Sequence, residues 1–581
     1  MFRNPPRGFD LPSGCIRALH SDMSRRVSNA EIADKLFGLA YLLATRKENP
    51  FKIKAYRRAA GTIRALGESV AELVHSNADL TRYSGIGPAI SGVICELVKT
   101  GSTRRFQELQ SQITPELAGV LDFPLLDPKR VLRIYKKLKI STIGELKERL
   151  ETGEIGRVMG PGMDQHVRRA LSDHTEMLLH EADRTVAAVH EFLIERCRVT
   201  RAEAAGDYRR RVDVIQELHF LVETSNFPAV VATLETYGGN GEILESSEDS
   251  ALFKLSTGRL RVTAAPGERW GLALLAATGS PRHLHKLESH GPGLSALLQS
   301  TDRYASETNV YAKLGLRFIP PELREGGREV ELSARAQLPE LLTVQDIRGE
   351  LHAHTTSSDG VDTIEAMAEA ARARGLSYIG ISDHSQSLKI ARGLSISRLG
   401  NQLRFIDTLN GRLEGIRILK SAEVDILEDG SLDYPDDLLK ELDYTICSIH
   451  SRFGLDKEKQ TARILRAMDN RQFSILGHAT GRLLLKRPGY EIDFDRLIEH
   501  ARTSGCFFEL NSNPHRLDLS SEHARLASEA GVRIAVNTDA HSTRELGFIK
   551  YGVDNARRAG LEKQSTLNTL AWPELVRVLR R

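Results

Sequence analysis

The last third of the chain alternates short apolar runs with amphipathic stretches, and this alternation is the strongest constraint on its fold. The apolar runs are SYIGISDH, IRILKSAEVDI, DYTICSIH, FSILGH, GCFFELNSN and VRIAVNTDAH. Strand-like runs that alternate with helical stretches are typical of a parallel β/α sheet or barrel. The sequence therefore predicts a β/α domain over residues 348–581.

Six strand ends each finish in, or just before, a residue that can bind a divalent metal ion: ELHAHTTSSDG, SDH, AEVD, SIH, GH and TDAH. Because the active sites of β/α barrels collect at the C-terminal ends of the strands, we expect these side chains to converge. His352 and His354 are two residues apart, so on a strand they face the same side, and Asp539 and His541 repeat the spacing. The nine candidate ligands are His352, His354, Asp359, His384, Glu423, His450, His478, Asp539 and His541.

A metal centre must be weighed against ordinary hydrogen-bonded histidines, which are more common at strand ends. Ligand-type residues at six successive strand ends are hard to obtain by chance, and buried without metal they would form a costly unpaired polar cluster. Mixed imidazole and carboxylate ligands suit zinc, manganese or iron rather than calcium or magnesium alone. Nine ligands are too many for one ion, so we expect two or three divalent ions, an arrangement that fits phosphoester hydrolysis.

Residues 348–581 resemble the PHP (polymerase and histidinol phosphatase) domain, a distorted (β/α)7 barrel. The stretches SIHSRF, GHATGRLLLKRPGY and ELNSNPHRLDL resemble the version that is fused to bacterial family X DNA polymerases. The resemblance implies three metal positions, with Glu423 as the bridge between the first two. By that pattern the groups are His352, His354, Glu423 and Asp539, then Glu423, His450 and His478, then Asp359, His384 and His541.

The same resemblance implies Mn2+ and/or Zn2+ as cofactors and Glu423, Asp539 and His450 as catalytic residues. It also makes four arginines candidates for contacting a DNA phosphate, with a surface ion pair as the alternative for each. These are Arg452, Arg482, Arg487 and Arg516.

The region from Asn29 to about His180 is predicted to be helical, and SGIGPAISGVICELVKTG within it resembles a helix-hairpin-helix. Gly85 and Gly87 would let backbone amides approach a DNA phosphate without regard to base sequence, whereas the alternative is an ordinary turn between helices. Two later hairpins are degenerate, because Leu125, Asp127 and Asp164 stand where glycines are expected and Gly162 alone is kept. A weaker grip on DNA follows.

The stretch AAGDYRRRVDVIQELHFL resembles the palm of a family X polymerase, and Gly206, Arg209 and Arg210 match it. Its active-site positions depart from the pattern. Asp207 replaces a phosphate-binding serine, Glu217 and His219 replace the first two aspartates, and Arg261 stands at the third. Nucleotidyl transfer needs clustered carboxylates that hold two cations, and a cation beside Arg261 would cost on the order of 4 kcal/mol. We expect a degenerate polymerase site that has lost activity, although Glu217 could still bind one ion weakly.

The expected fold class is therefore multidomain, with helical N-terminal helix-hairpin-helix regions, an α+β nucleotidyltransferase-like palm and a C-terminal distorted (β/α)7 PHP barrel. A chain of 581 residues is too long for one core. The predicted divisions are a disordered leader (1–26), a helical DNA-binding domain (27–105), a fingers-like helical domain with degenerate hairpins (106–180), the palm (181–262), a thumb-like region (263–335), a linker (336–347) and the PHP domain (348–581).

Composition bears on location and partners. The five cysteines are scattered without a CxxC pair, which fits a reducing cytoplasm. The Pro/Gly-rich first residues lack the apolar core of a signal peptide, and no apolar run is long enough to span a membrane. The net charge of +3 neither requires nor excludes a nucleic-acid partner.

These observations lead to four hypotheses about function. The first is metal-dependent hydrolysis at DNA 3′ ends, as a 3′–5′ exonuclease or 3′-end repair enzyme acting as a monomer on gapped or nicked duplex; abasic-site endonuclease and 3′-phosphatase actions stay open. The second is a gap-filling DNA polymerase. The third is a DNA-binding scaffold with a structural metal, and the fourth is a small-molecule phosphatase.

Overall fold

The computed structural model describes residues 27–46, 48–110, 126, 128–171 and 176–579. The chain forms two compact units, Met1–Pro124 with Ala232–Glu242, and Leu125–Val231 with Ile243–Arg581. The predicted leader lies outside the described residues, as do Leu125 and Asp127 of the second hairpin. No helix in the described part of the chain is long and apolar enough to cross a membrane.

The first unit is helical around a core that includes Leu36, Ile63 and Ile94. Its first helix begins at a capping box, in which the Ser28 side chain accepts from the Glu31 amide and the Glu31 carboxylate accepts from the Ser28 amide. The helices are α1 (Asn29–Thr45), α2 (Pro50–Ala65), α3 (Val70–His75), α4 (Pro88–Thr100) and α5 (Arg104–Gln110).

The second unit begins with short helices and then forms a mixed sheet. The helices are α6 (Pro128–Leu138), α7 (Ile143–Glu151), α8 (Glu154–Met159), α9 (Pro161–Leu171), α10 (Leu179–Glu195), α11 (Gly206–Arg209) and α12 (Phe227–Leu234). The strands are β1 (Met177–Leu178), β2 (Arg201–Ala205), β3 (Val214–Ile215), β4 (Glu217–Glu223), β5 (Glu242–Ser246), β6 (Ser250–Leu255) and β7 (Gly258–Ala264). The five-stranded sheet has the order β2-β4-β7-β6-β5, with β4 and β7 parallel. It corresponds to the expected α+β palm.

A helical region follows the palm and packs around Leu275, Tyr311 and Ile319. Its helices are α13 (Trp270–Thr278), α14 (Pro281–Leu287), α15 (Leu294–Gln299), α16 (Glu307–Lys313) and α17 (Glu329–Ala334). Arg209, which matches the family X pattern, makes two hydrogen bonds of 2.8 Å with the Glu307 carboxylate. This arginine therefore joins the palm to the helical region.

The C-terminal part is a barrel of parallel strands. They are β8 (Gly349–Ala353), β9 (Tyr378–Ile381), β10 (Arg417–Lys420), β11 (Glu423–Asp425), β12 (Ile446–Ser448), β13 (Ile475–Leu476), β14 (Phe507–Asn511) and β15 (Ile534–Asn537). β10 and β11 are two halves of one strand that is interrupted at residues 421–422. Counted as one, they give the barrel seven strands. It closes where the His354 amide donates to the Ala540 carbonyl at 2.8 Å. This is the distorted (β/α)7 barrel that the sequence predicts.

Most helices of the barrel begin at a side chain that caps the first turn. The helices are α18 (Ile364–Ala373), α19 (Ile396–Asn410), α20 (Asp436–Leu439), α21 (Lys457–Met468), α22 (Phe494–Ser504), α23 (Ser521–Glu529), α24 (Ile549–Arg558) and α25 (Trp572–Leu579). The capping residues are Thr363, Ser395, Asp456, Asp493 and Ser520. Each cap defines where its helix begins and therefore where the loop after the preceding strand ends. The candidate functional side chains lie at the strand ends and on these loops.

Ion pairs join the palm to the barrel within the second unit. Arg211 of the palm donates two hydrogen bonds, of 2.8 and 2.7 Å, to the Asp554 carboxylate on α24. Asp183 on α10 accepts from Lys550 at 2.8 Å and from Tyr551 at 2.9 Å. The palm is thus held against the barrel by polar contacts between residues that lie far apart in the sequence.

Candidate metal centre

The nine predicted ligands meet at the C-terminal end of the barrel. His352 lies on β8 and Glu423 on β11, and the other side chains follow strands or stand on the loops after them. Glu423 lies at the middle of the cluster. One of its carboxylate oxygens is 2.8 Å from His384 Nδ1, and the other is 2.9 Å from His478 Nε2. The strand-end pattern therefore corresponds to a real convergence of side chains.

Ligand atoms form three groups within which all atoms lie inside 4.8 Å of one another. The groups are His352, His354 and Asp539, then His354, Asp359, His384 and His541, then His384, Glu423 and His450. The first set contains three of the four residues that the family pattern assigns to one position, and the second contains the three residues assigned to another together with His354. In the third, His384 stands with Glu423 and His450. His478 is not in that group, although its Nε2 lies 2.9 Å from Glu423 Oε1, the oxygen that His450 Nε2 also approaches. Two histidines, His354 and His384, thus belong to two groups each.

The donor set fits divalent metal ions. His352 Nε2 and His354 Nδ1 are buried and make no hydrogen bond with a described residue. A buried polar atom without a partner costs about 1–3 kcal/mol, and a bound ion or water would supply that partner. Imidazole nitrogens and carboxylate oxygens are the ligands that first-row divalent metals use in proteins.

Two carboxylates that the sequence reasoning missed orient the histidines from behind. Glu509 on β14 lies 2.7 Å from His352 Nδ1, and Asp425 on β11 lies 2.6 Å from His450 Nδ1. A carboxylate on one ring nitrogen fixes the tautomer and directs the other nitrogen at the metal. Asp425 is two residues from Glu423, so the period of a strand places both on one face; that spacing was the available signal.

Burial and opposite charge compete in setting the pKa values of the cluster. Burial opposes protonation of His384, but the carboxylates of Glu423 and Asp359 outweigh it and raise its pKa to about 10. Burial also opposes ionisation of Glu423, yet the surrounding histidines hold its pKa well below the usual range. Without metal, protonated histidines therefore surround the carboxylates of the cluster. A metal ion that binds there must displace protons from these histidines.

The four candidate phosphate-binding arginines occupy different environments. Arg516 stands nearest the centre, with its Nε 3.7 Å from an Asp539 oxygen. Arg482 donates to Asp213 of the palm at 2.8 Å and also to the Leu517 carbonyl. Arg487 lies 4.2 Å from the centre of the Phe453 ring, and Arg452 pairs with Glu428 at 2.9 Å. The geometry therefore favours Arg516 for contact with a phosphate in the centre.

The helix-hairpin-helix in the first unit has the backbone geometry that its glycines predict. Gly85 has a φ of +88°, and a Cβ there would lie 2.8 Å from the Arg58 side chain. Gly87 precedes α4 and has open space around its Cα, with no side chain capping the helix. The amides that begin α4 border a cavity of about 680 Å³ lined by residues that include Lys52 and Arg82. Free amides and nearby cations suit an anion such as a DNA phosphate.

Three of the four degenerate positions of the palm, Glu217, His219 and Arg261, lie on the neighbouring strands β4 and β7. Arg261 faces His219 in the parallel register, and its Nε donates to Glu217 Oε1 at 2.7 Å. A second acid, Glu245, lies 3.3 Å from Arg261. The Arg261 guanidinium thus pairs with Glu217, which is the acidic residue at the first of the two expected aspartate positions.

The other two altered positions are also engaged within the protein. Asp207 pairs with Arg210 at 2.5 Å. His219 Nε2 lies 3.0 Å from the Thr263 hydroxyl, and burial together with Arg261 lowers the pKa of His219 to about 4. A neutral imidazole and a paired carboxylate give this site little negative charge for cations.

Comparisons with known proteins agree with this architecture. The helix-hairpin-helix domain profile matches residues 27–103, and the PHP domain profile matches residues 350–513. The chain is 34% identical over 566 residues to the DNA polymerase/3′-5′ exonuclease PolX of Bacillus subtilis (strain 168), covering 94% of this chain and 98% of that protein.

Other relatives match a smaller share of the chain. A probable phosphatase of Thermoanaerobacter sp. (strain X514) is 32% identical over 231 residues, 38% of this chain and 89% of that protein. A probable phosphatase of Caldanaerobacter subterraneus subsp. tengcongensis is 30% identical over 231 residues, covering 38% and 86%. The similarity to the Bacillus protein spans nearly both chains, so this chain belongs to the PolX family, the bacterial family X DNA polymerases that carry a C-terminal PHP domain.

Proposed function

We propose that the chain is a DNA repair enzyme whose barrel hydrolyses phosphodiesters at DNA 3′ ends, as a 3′–5′ exonuclease or 3′-end processing enzyme. The observation that carries the proposal is that nine ligand-type side chains, Glu423 among them, gather at one end of the barrel, together with the buried His352 and His354 nitrogens that lack partners among the described residues. The name of the Bacillus relative includes 3′-5′ exonuclease activity, which supports this assignment.

Two or three divalent ions, manganese and/or zinc, would be held by the nine ligands, and when bound they would activate water and stabilise the leaving oxygen. Glu423, Asp539 and His450 would stand closest to the reaction. Glu509 and Asp425 would hold their histidines in the required tautomer. Arg516 would neutralise charge on the scissile phosphate.

The remaining parts of the chain would present the substrate. Gly85 and Gly87 would hold a backbone phosphate of gapped or nicked duplex DNA, and the protein would act as a monomer. We propose that its domains have the bounds that the sequence predicts. A cytoplasmic location is also proposed, supported by Cys95, Cys197 and Cys447, which form no disulfide bond with a described residue.

The test is a nuclease assay with the purified full chain, Mn2+ and a 5′-labelled primer–template. Wild type should shorten the primer from its 3′ end, and His352→Ala should lose the activity because His352 belongs to the first ligand group. The control is Glu499→Ala, which changes an exposed residue on α22 outside the ligand groups. Equal behaviour of wild type and His352→Ala would refute the proposal.

We further propose that the palm does not extend primers. The ion pair between Arg261 and Glu217 carries this proposal, because a guanidinium fills the position in which a metal ion is needed. Primer extension by the nuclease-deficient variant His450→Ala decides between an inactive palm and a gap-filling polymerase. Added nucleotides would establish the polymerase.

A small-molecule phosphatase is the other candidate, because two relatives of the barrel are named probable phosphatases. The helix-hairpin-helix and the palm make DNA the favoured substrate. Comparing turnover of p-nitrophenyl phosphate with turnover of a DNA 3′ end separates the two functions: a phosphatase would strongly prefer the small ester.

A further inference from the structure

Two loops border the metal centre and carry unusual surface residues. The first rim loop is residues 356–362, which contains the candidate ligand Asp359. The second rim loop is residues 385–394, which directly follows His384. Among the described residues, Ile390 (92%), Phe51 (83%) and Val361 (69%) are the most exposed large apolar side chains. Two of these three therefore stand on the rim loops.

The rim loops lie on the open side of the centre. The side chains of Asp359 and His541 are 33% and 31% exposed, whereas those of His352, His354 and Glu423 are buried. The Val361 amide donates to the His541 carbonyl at 2.9 Å, which places Val361 beside the exposed ligands. Val361 therefore lies at the edge of the centre where its candidate ligands are most exposed.

The second rim loop is held rigidly at its base. The Ser385 amide donates to the Glu423 carbonyl at 2.9 Å, and the Leu394 amide donates to the His384 carbonyl at 2.8 Å. The Ser387 amide donates to Asp433 at 2.7 Å. Ile390 is thus displayed on a fixed turn, so its exposure is not the result of an unanchored loop.

Arg398 ties the two rim loops together. One of its guanidinium nitrogens donates to the Ser357 carbonyl of the first loop, and the other donates to the Arg392 carbonyl of the second at 2.9 Å. Lys389 and Arg392 flank Ile390, are exposed, and form no ion pair with a described residue. The rim therefore combines two apolar side chains with uncompensated positive charge.

We propose that the rim loops grip the unpaired 3′ end of a DNA strand, with Val361 and Ile390 packed against its last bases and Lys389 and Arg392 against its phosphates. A single strand presents apolar base faces beside a polyanionic backbone, which matches a surface of aliphatic and cationic residues. Aliphatic wedges are used in this way to separate bases. A small phosphomonoester offers too little surface to reach both loops.

The inference rests on the proposed function, and kinetics on two substrates test it. The double variant Val361→Ser/Ile390→Ser should raise the KM for hydrolysis of a single-stranded oligonucleotide about tenfold. Turnover of p-nitrophenyl phosphate should fall much less. Leu298→Ser, at an apolar residue exposed on α15, is the matched control. An unchanged KM, or equal losses on both substrates, would overturn the inference.

A crosslinking experiment gives a result even when no hydrolysis occurs. An oligonucleotide that ends in a 3′ photoreactive thymidine and a hydrolysis-resistant phosphorothioate should crosslink to residues 356–362 or 385–394 of the full chain. The double variant should lose this product and Leu298→Ser should keep it. Crosslinks that form only outside these two loops would overturn the inference. The same result is expected if the loops bind a protein instead of DNA. If wild type crosslinks at the loops without hydrolysing the 3′ end, that result would refute the proposed nuclease activity but not the inference about the loops.

Discussion

At the scale of single residues, the centre depends on carboxylates that stand behind the ligands. Glu509 is fully buried and lies 2.7 Å from His352 Nδ1, and one of its oxygens also accepts from the His478 amide at 2.8 Å. It therefore holds two candidate ligands at once. A carboxylate in this position is as important to metal affinity as a weak ligand.

Glu509→Gln should weaken the binding of divalent metal by about 10- to 100-fold, because the amide no longer fixes the His352 tautomer by charge. Metal titration followed by calorimetry measures the change. Glu499→Gln, at an exposed residue paired with Arg502, should bind as wild type does. Wild-type affinity in Glu509→Gln would show that the carboxylate has no role in tuning the site.

His219 makes stability depend on pH. Its folded pKa of about 4 lies below the unfolded value near 6.5, so the unfolded chain binds more protons between these values. Stability should therefore rise as pH increases from 4 to 6.5, with a contribution on the order of 3 kcal/mol. Thermal melts of wild type and His219→Gln across this range should show a shallower pH dependence in the variant. Parallel curves would contradict the assignment.

Individual residues also show what the sequence could reveal. The gathering of the candidate ligands could be predicted, because most of them stand at or just after the end of an apolar run. Glu509 was not predicted, since it reads as one polar position within FFELN, and only the fold shows which residue it faces. The pairing of Arg261 with Glu217 was likewise beyond the sequence, although the placement of both residues in the palm site came from the family resemblance.

At the scale of elements, the palm is fixed to the barrel through α24. Burial raises the pKa of Asp554, although Arg211 opposes that effect, which shows that the carboxylate depends on its partner. Arg211 and Asp554 are more than three hundred positions apart, and no local pattern links them. Sequence periodicity predicts elements and their buried faces but does not specify such contacts between domains.

Arg211→Ala should destabilise the second unit by about 1.5–3 kcal/mol, because it removes both charged hydrogen bonds from the half-buried Asp554 carboxylate. Arg525→Ala breaks an exposed pair with Glu529 on one helix and should cost less than about 1 kcal/mol. Chemical denaturation measures both changes. If the two variants lose the same small amount, the palm–barrel pair does not stabilise the protein as described.

At the scale of the whole molecule, a barrel that carries a cluster of possible metal ligands packs against a palm whose acidic positions are altered. Metal ions that bind only the folded barrel stabilise it, by about 2.7 kcal/mol at a concentration one hundred times the Kd. Removing metal with a chelator should therefore lower the melting temperature of the second unit. Calorimetry of the holoprotein before and after chelation should show this fall, and an identical transition would indicate that the cluster binds no ion tightly.

The central claim is that several metal ions gather around Glu423 and that hydrolysis at DNA 3′ ends depends on them. The most direct measurement combines metal analysis with a nuclease assay on wild type and Glu423→Ala, because Glu423 contacts His384, His450 and His478 at once. The account predicts two or three ions and 3′-end hydrolysis in wild type, and loss of both bound metal and activity in the variant. Full metal content with full nuclease activity in Glu423→Ala would contradict it.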